Sequence, residues 1–367
     1  MSVVGIKQRD WILTILGLWG TAVSLRHFAA ITRPRDQNFT QAFGQVWQGK
    51  LPSDIQPKLA KRRWFPIVRL QPHGPIEWHV EFGKNPDILA DERLYADIMH
   101  PPKNVKRSGL ALIYVHGGGW AYGKRNIQKF PYFYQLSHQG HLIMDIDYTL
   151  NPKTSMQGMV KDVKRAIIWL KQNAQKYQIN PERIVLAGQS AGAHLSLLSA
   201  YTANHSAFQP ANTTVDFSVR AVVSYYGPPN MRALHDDVEA RFGSIFNSKI
   251  GQILQQRFGA QHTLTKGIAG LFGGTVAETP EQYDLLSPLQ HINNDSPPTM
   301  LIHGTHDLMV DFCEAERLYF TLRDHDVPTI FIPLPSCNHS FESVLPRVSP
   351  SAQTAAFYME RFIALMI

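Results

Sequence analysis

A serine between two glycines is the first residue whose surroundings suggest chemistry. Residues 188–192 read Gly-Gln-Ser-Ala-Gly, which matches the pattern G-x-S-x-G with Ser190 at its centre. The glycines permit a sharp turn between a strand and a helix, and such a turn presents the serine hydroxyl to a substrate. The bare pattern arises by chance in about one chain in ten of this length. Ser190 is therefore a candidate nucleophile only if the chain also supplies its partners.

A serine hydroxyl needs a base to accept its proton and an acid to orient that base. Asp307 follows a predicted strand at 299–304, and His339 lies in the loop after the last predicted strand, 329–334. Acid and histidine thus follow Ser190 in one of the chain orders that serine hydrolases use. We predict Asp307 as the acid and His339 as the base.

Other titratable residues are alternatives for these two roles: His306, His194, Asp311 and Glu314. The first lies on the same loop as the predicted acid. The second falls one helical turn beyond the serine, where a packing role is expected, and the last two are expected to begin a helix.

A glycine-rich loop could stabilise the negative oxygen that develops during attack on a carbonyl group. Residues 116–120 read His-Gly-Gly-Gly-Trp directly after a predicted strand. Glycines leave backbone N–H groups unobstructed, so Gly117 and Gly118, together with Ala191, are the predicted oxyanion hole. His116 is interpreted as a structural residue of this loop. A phosphate-binding loop is the alternative, but the run lacks the G-K-[ST] ending.

Hydrophobic patterns indicate the elements that must position these residues. From about residue 76 onward, short apolar runs alternate with helical repeats, which is typical of a mostly parallel sheet flanked by helices. The predicted strands are 110–115, 142–147, 183–187, 221–226, 299–304 and 329–334, and the predicted helices are 163–177, 191–203 and 351–367. We therefore expect an α/β domain over residues 76–367.

Two regions depart from this alternation. Between about residues 228 and 286 it stops, and apolar residues recur there at helical spacing: Phe246, Ile250, Ile253, Leu254 and Phe258. We predict a helical cap inserted over the site, with a helix packed on the sheet as the alternative. Residues 26–75 are polar and lack sustained periodicity, so we interpret them as an N-terminal extension or linker.

The first 25 residues contain an uncharged apolar stretch. It covers residues 11–25 and follows Lys7 and Arg9. A helix of this length spans about 22 Å, less than the roughly 30 Å hydrocarbon core of a bilayer. A signal peptide or a membrane anchor fits the pattern, so we expect an exported or membrane-associated protein. A packed N-terminal helix in a cytoplasmic protein is the alternative.

Composition excludes several classes of protein. A hydrophobic fraction of 44% with 18% charged residues is that of a folded chain with a sizeable core. The net charge is +7, but the cations are scattered, so we expect no nucleic-acid partner. No HExxH or CxxC motif occurs, and we expect no metal and no cofactor. Cys313 and Cys337 flank the loops of the predicted acid and base, and a disulfide between them is a hypothesis.

Taken together, the motifs resemble those of the carboxylesterase branch of the α/β-hydrolase fold. They are HGGGW at 116–120, DYTLNP at 147–152, GQSAG at 188–192 and GTHD at 304–307. From about residue 94 to the C-terminus the chain is similar to hormone-sensitive-lipase-like and bacterial feruloyl or acetyl-xylan esterase-like groups. The lipase-like group usually has Asp where Gln189 stands, and Arg-Leu-Ala-Pro where residues 149–152 stand.

The resemblance implies an esterase or lipase that acts on a small-molecule ester. His339 would deprotonate Ser190, the serine would attack the carbonyl carbon, and water would release the acyl group. The same triad cleaves amides in arylformamidases and some peptidases of this fold, which is the alternative reaction. A noncatalytic binding protein of this fold is a further alternative, although such proteins usually lack a triad member and none is missing here.

Overall fold

The computed structural model describes residues 8–86, 92–127, 129–211, 213, 215–240 and 270–367. The strands of this part of the chain are β1 (Ile76–Asn85), β2 (Glu92–Met99), β3 (Ala111–Val115), β4 (Leu142–Ile146), β5 (Ile184–Gln189), β6 (Ala221–Tyr225), β7 (Thr299–Gly304) and β8 (Thr329–Leu334). Its helices are α1 (Gln8–Thr32), α2 (Asp36–Phe43), α3 (Pro131–His138), α4 (Met156–Gln172), α5 (Ala174–Tyr177), α6 (Ala191–Tyr201), α7 (Met231–Val238), α8 (Pro280–Leu285), α9 (Phe312–Asp324) and α10 (Pro350–Ala364). Short 3-10 helices cover Trp47–Lys50, Gln56–Lys58, Ser206–Phe208 and Pro288–His291.

The strands form one sheet in the order β1-β2-β4-β3-β5-β6-β7-β8. Strand β2 pairs antiparallel with β1 and β4, whereas the strands from β4 to β8 pair in parallel. Strands β3, β4 and β6 are buried at every residue. Parallel strands covered by helices on both faces have such continuous apolar sequences. Their carboxyl ends meet at one edge of the sheet, where sites of α/β proteins form.

The fold class predicted from the sequence is confirmed: the sheet is mostly parallel and helices flank it. The predicted strands 299–304 and 329–334 coincide with β7 and β8. Strands β1 and β2 were not predicted from the sequence. The sequence of β1 does contain a strand signal, since apolar and polar residues alternate from Ile76 to Phe82. The signal was overlooked in a region that we interpreted as the start of the domain, and the pairing of β1 with β2 shifts register twice.

Helices α7 and α8 lie at the two ends of the region predicted as a cap. Asn230 caps α7 through a hydrogen bond from the backbone N–H of Ala233 to its side chain. Arg232 of α7 pairs with Asp284 of α8, so the two helices are held together. The apolar repeat at 246–258 lies outside the described residues.

The N-terminal region contains helices and packs on the last helix of the chain. Phe39 of α2 is buried and stacks on Tyr358 of α10, with ring centroids 5.9 Å apart. The Tyr358 hydroxyl accepts hydrogen bonds from the backbone N–H of Arg35 (2.7 Å) and from Nε of Arg63 (2.8 Å). Residues that we interpreted as an extension or linker are therefore docked, through polar residues whose partners lie some 300 positions away.

Helix α1 runs through position 25, the end of the predicted signal peptide or anchor. Eight large apolar side chains from Trp11 to Leu25 are exposed, whereas Ile31 near the end of the helix is buried. Within the described ranges, no helix combines the length and the hydropathy needed to cross a membrane.

The hypothesised disulfide is absent: Cys313 and Cys337 are both free thiols. Cys313 is exposed at the start of α9, and Cys337 is buried in the loop after β8. The loops that carry the predicted acid and base meet through hydrogen bonds instead, as described below.

The hydroxyl of Tyr358 should contribute measurably to stability. In a Tyr358→Phe variant, two donors of the N-terminal region lose their acceptor, so we expect the free energy of unfolding to fall by about 1–3 kcal/mol. Urea denaturation would measure the change. Tyr122→Phe, which removes the hydroxyl of an exposed tyrosine, is the control and should change stability by less than about 0.5 kcal/mol. Equal effects of the two substitutions would contradict the proposed docking role.

Candidate active site

Ser190 occupies the junction between β5 and α6 in a left-handed backbone conformation, with φ 52° and ψ −124°. Such a conformation costs a non-glycine residue about 1–3 kcal/mol and needs support from its surroundings. The backbone N–H of Ser190 donates to the carbonyl of Tyr225 in β6 (2.9 Å). Gly192 lies against the end of β3, where an added Cβ would be 2.1 Å from the carbonyl oxygen of Val115. The junction therefore requires the small residues of the G-x-S-x-G pattern.

The structure brings the predicted triad residues together. Nε2 of His339 lies 2.9 Å from the hydroxyl oxygen of Ser190, and Nδ1 lies 2.8 Å from Oδ2 of Asp307. The geometry fits a neutral imidazole that accepts the serine proton at Nε2 and donates its own N–H to the carboxylate. The three side chains come from the carboxyl ends of β5, β7 and β8.

Asp307 is buried, and hydrogen bonds surround its carboxylate. Oδ1 accepts from the backbone N–H groups of Met309 (2.8 Å) and Val310 (3.0 Å). Oδ2 lies 3.3 Å from Nε2 of His303 as well as near His339. Burial alone would raise the pKa of Asp307, but the hydrogen bonds from the two histidines outweigh burial and hold this pKa below its ordinary value. A carboxylate that stays ionised can stabilise the imidazolium formed during proton transfer.

Backbone hydrogen bonds join the loops of the acid and the base. The N–H of His306 donates to the carbonyl of Cys337 (3.0 Å), and the N–H of Leu308 donates to Oδ1 of Asn338 (3.0 Å). The two donors flank Asp307 in the sequence, and the two acceptors belong to the residues directly before His339. These hydrogen bonds fix the distance between the carboxylate and the imidazole.

Of the residues predicted for the oxyanion hole, Gly117 and Ala191 lie beside Ser190, and Gly118 follows Gly117 in the glycine loop. Gly117 is adjacent to the serine, since a Cβ added there would be 3.4 Å from Cβ of Ser190. Gly118 has φ +128°, and its Cβ would be 2.0 Å from the carbonyl oxygen of Tyr122, so only glycine fits the turn. Ala191 is the first residue of α6, where backbone N–H groups have no partner within the helix. This arrangement suits a negatively charged oxygen.

The motif at residues 147–152 supports the glycine loop. The hydroxyl of Tyr148 donates to the carbonyl of His116 (3.2 Å), and their rings stack with centroids 4.5 Å apart. The N–H of Asn151 donates to the carbonyl of Trp120 (2.9 Å). Burial lowers the pKa of His116 to about 4, so its imidazole is neutral at pH 7. These contacts agree with the structural role predicted for His116.

The alternative residues lie in other environments. Nδ1 of His194 is 3.2 Å from Nε1 of Trp120, and Nε2 is 2.8 Å from the carbonyl oxygen of Leu286, so both ring nitrogens are engaged in packing. His306 is exposed and contacts the hydroxyl of its neighbour Thr305. The remaining two behave as helix-start residues: Asp311 caps α9, and Glu314 lies in its first turn.

Sequence reasoning missed Tyr226 and Glu342, which lie beside the triad. The Tyr226 ring packs against His339 with centroids 4.4 Å apart, and its hydroxyl donates to Oε1 of Glu342. Burial raises the pKa of Glu342. The signal that could have identified the pair is Glu342 itself, an acid three residues after the predicted base His339.

Metal ligation has no visible basis in the described ranges, which contain no group of three or more His, Cys, Asp or Glu side chains placed to hold a metal ion. The candidate site therefore consists of a serine, an imidazole, a carboxylate and backbone donors. This set can perform acyl transfer.

The chain is similar to a known protein family and to known esterases. Residues 96–322, more than half of the chain, match the model of the BD-FAE family. The chain belongs to the BD-FAE family. It is 27% identical over 237 residues to the esterase LipQ of Mycobacterium tuberculosis, covering 64% of this chain and 51% of LipQ. It is 29% identical over 287 residues to the esterase LipC of the same organism, covering 77% of this chain and 64% of LipC.

The BD-FAE chain thus spans between half and two thirds of the length of the curated relatives it matches. Among solved structures it is similar to an esterase from Thermogutta terrifontis, with a TM-score of 0.58 and 19% identity, covering 80% of this chain and 94% of that one. That likeness shows the α/β-hydrolase fold. The resemblance to the carboxylesterase branch, drawn from the sequence motifs, is confirmed.

Burial of His194 should make the stability of this BD-FAE chain depend on pH. Burial lowers its pKa from the ordinary 6.5 to about 4. The unfolded chain therefore binds a proton at His194 between these pH values that the folded chain does not bind. The contribution of His194 to stability is thus greatest above pH 6.5 and falls as the pH decreases towards 4. His194 contributes at most about 3 kcal/mol to this fall. The free energy of unfolding in urea, measured at intervals from pH 7.5 to 4, would show it.

In His194→Gln, the slope of the unfolding free energy against pH should decrease by an amount that corresponds to at most one bound proton. The variant should also be less stable at pH 7. His306→Gln, which changes an exposed histidine, is the matched control and should leave the slope unchanged. A His194→Gln variant with the slope of the unmodified chain would refute the prediction.

Proposed function

We propose that the chain hydrolyses carboxylic esters through an acyl-enzyme on Ser190. The observation that carries the proposal is the continuous hydrogen-bonded series from Asp307 through His339 to Ser190, with distances of 2.8 and 2.9 Å. The serine oxygen attacks the ester carbonyl carbon while its proton passes to Nε2 of His339. The imidazolium then protonates the departing alkoxide, and the alcohol leaves.

Water completes the proposed reaction. His339 accepts a proton from water as the water oxygen attacks the acyl carbon. The imidazolium then returns this proton to the serine oxygen as the bond between that oxygen and the acyl carbon breaks, and the carboxylic acid is released. In both steps the negative carbonyl oxygen would be held by the backbone N–H groups of Gly117, Gly118 and Ala191. Asp307 stays ionised throughout and stabilises the imidazolium. The proposed mechanism uses groups of the chain, a small-molecule ester and water.

The names of the relatives support ester rather than amide hydrolysis. LipQ and LipC are both named esterases, although the chain covers only part of each. A paired comparison separates the two reactions if turnover of the amide is measured by itself, because the aryl ester is intrinsically more reactive. We expect p-nitrophenyl butyrate to be hydrolysed and butyryl p-nitroanilide, which has the same acyl group, to show no hydrolysis above the uncatalysed rate. Clear enzymatic hydrolysis of the anilide would favour an amidase.

Replacing the nucleophile should abolish turnover without unfolding the chain. In Ser190→Ala, we expect kcat for p-nitrophenyl butyrate to fall by about 10⁴-fold or more. Covalent labelling by a fluorophosphonate probe should be lost as well. Alanine is smaller than serine, so the circular dichroism spectrum should not change.

Ser196→Ala is the matched control. This serine lies in α6, which begins directly after Ser190; it is buried and donates to the carbonyl of Gly192 (2.8 Å). Its removal should leave kcat within about threefold of the unmodified value, since it makes no contact with the triad. Labelling or full activity in Ser190→Ala would end the acyl-enzyme proposal.

We also propose that the chain is exported or membrane-associated, and that α1 makes the membrane contact. The support is the run of exposed apolar side chains between Trp11 and Leu25, which a watery environment disfavours. Leu16→Asp combined with Leu18→Asp places two charges in that run. We expect this variant to lose at least about 90% of its binding in co-sedimentation with phosphatidylcholine/phosphatidylglycerol vesicles. Unchanged sedimentation would exclude α1 as the contact.

A further inference from the structure

Exposed apolar side chains are concentrated in a few segments of the described chain. Sixteen of its twenty large, exposed hydrophobic residues fall in four short stretches. They are Trp11, Leu13, Ile15, Leu16, Leu18, Trp19, Val23 and Leu25 in α1; Phe65, Ile67 and Leu70; Leu308 and Met309; and Val344, Leu345 and Val348. Scattered exposed hydrophobics are normal, but a concentrated set marks an interaction surface. Residues 65–70 are called the strip below, and residues 344–348 the rim.

Contacts connect α1 to the strip and the rim. Phe28 of α1 meets the ring of Trp64 edge to face, with centroids 5.0 Å apart. Nε1 of the same tryptophan donates to the carbonyl of Val348 (2.8 Å). Trp64 directly precedes the strip, and Val348 ends the rim. The C-terminal end of α1 therefore lies next to both the strip and the rim.

The strip and the rim also lie side by side. The N–H of Val68 donates to the carbonyl of Arg347 (2.7 Å), and Nε of Arg347 donates to the carbonyl of Val68 (2.9 Å). Phe65 exchanges two backbone hydrogen bonds with the side chain of Gln353. The exposed side chains of the two segments thus belong to one surface.

This surface reaches the triad. A cavity of about 470 Å³ borders His339, and Phe341, Val344, Leu345 and Val348 form much of its wall. Leu308 follows the triad acid directly, and its N–H is bound to Asn338, the neighbour of His339. Both loops that carry the acid and the base therefore present exposed apolar side chains next to the reacting groups.

The N-terminal part of this surface is basic, and one of its arginines, Arg63, pairs with Asp36. No acidic residue occurs at 11–35 or at 55–76, the stretches that hold most of α1 and the strip. The basic residues there are Arg26, Arg33, Arg35, Lys58, Lys61, Arg62, Arg63 and Arg69. Basic residues beside exposed apolar residues are the composition that binds anionic lipid surfaces.

We propose that α1, the strip and the rim form one face that docks on an anionic lipid surface, with the triad opening towards the lipid. The substrate class is then an amphiphilic ester held in that surface. Its acyl chain enters past the apolar rim, and its carbonyl carbon reaches Ser190. This proposal rests on the ester hydrolase function proposed above and adds where the substrate resides.

Hydrolysis of one ester type in vesicles and another in solution tests the proposal. The probes are a fluorogenic long-chain ester embedded in phosphatidylcholine/phosphatidylglycerol vesicles and dissolved p-nitrophenyl butyrate. In Ile67→Asp combined with Leu70→Asp, which charges the strip and leaves α1 intact, the vesicle rate should fall by about tenfold or more. The rate for the dissolved ester should stay within about twofold, since neither side chain contacts the triad.

Trp78→Asp is the matched control. Trp78 is an exposed aromatic residue of β1, at the opposite end of the sheet from β8, and both rates should be unchanged. An equal loss of both rates in the strip variant, or an unchanged vesicle rate, would overturn the docked face. Absence of p-nitrophenyl butyrate hydrolysis by the unmodified chain would instead refute the ester hydrolase function, so the two failures are distinguishable.

A measurement independent of activity tests the orientation. A polarity-sensitive fluorophore is attached to Leu345→Cys, in a Cys313→Ser background that removes the exposed native thiol. On addition of vesicles containing phosphatidylglycerol, the emission should shift to the blue, because the rim enters the lipid interface. The same label on Trp78→Cys should not shift. Equal behaviour of the two labels would show that the triad does not face the lipid.

Discussion

The left-handed backbone at Ser190 is the constraint on which the rest of the site depends. It places the serine side chain beyond the end of β5, but the chain can hold this conformation only if the following helix begins at once. That helix must pass close to β3, and the contact of Gly192 with the carbonyl of Val115 leaves no room for a side chain. The parallel pairing of Val115 with Gly188 therefore sets the position of the glycine loop relative to the nucleophile.

The acid and the base are positioned by a second pair of strands. Strands β7 and β8 pair through Gly304 and Leu334, so the loops that follow them start side by side. Backbone hydrogen bonds then join these loops, and His303 and the N–H groups of residues 309–310 hold the carboxylate of Asp307. The energetic cost of burying a charge is offset by these donors. The histidine is oriented as a consequence of sheet register and loop pairing.

The sequence was sufficient for the parts of the site that depend on local patterns. The nucleophile, the glycine loop and the two loops with acid and base each follow a buried strand, and a buried strand leaves a clear apolar run. Contacts between distant residues leave no such pattern: Tyr226 and Glu342 are 116 positions apart, and Arg35 and Tyr358 are 323 apart. In the sequence, polar residues such as Arg35 are typical of a linker. Their hydrogen bonds to α10 nevertheless make them part of the folded structure.

The docking of the N-terminal region has a consequence for the entrance to the site. Helix α10 holds this region through Tyr358 and, one turn from its start, through Gln353, which binds the backbone of Phe65. The rim precedes the same helix directly and lines the cavity beside His339. A shift of the N-terminal region would therefore move α10 or break the hydrogen bonds between α10 and this region. Either change would affect the position of the rim. Residues outside the family match thus set the surroundings of three candidate catalytic residues, two of which lie within it.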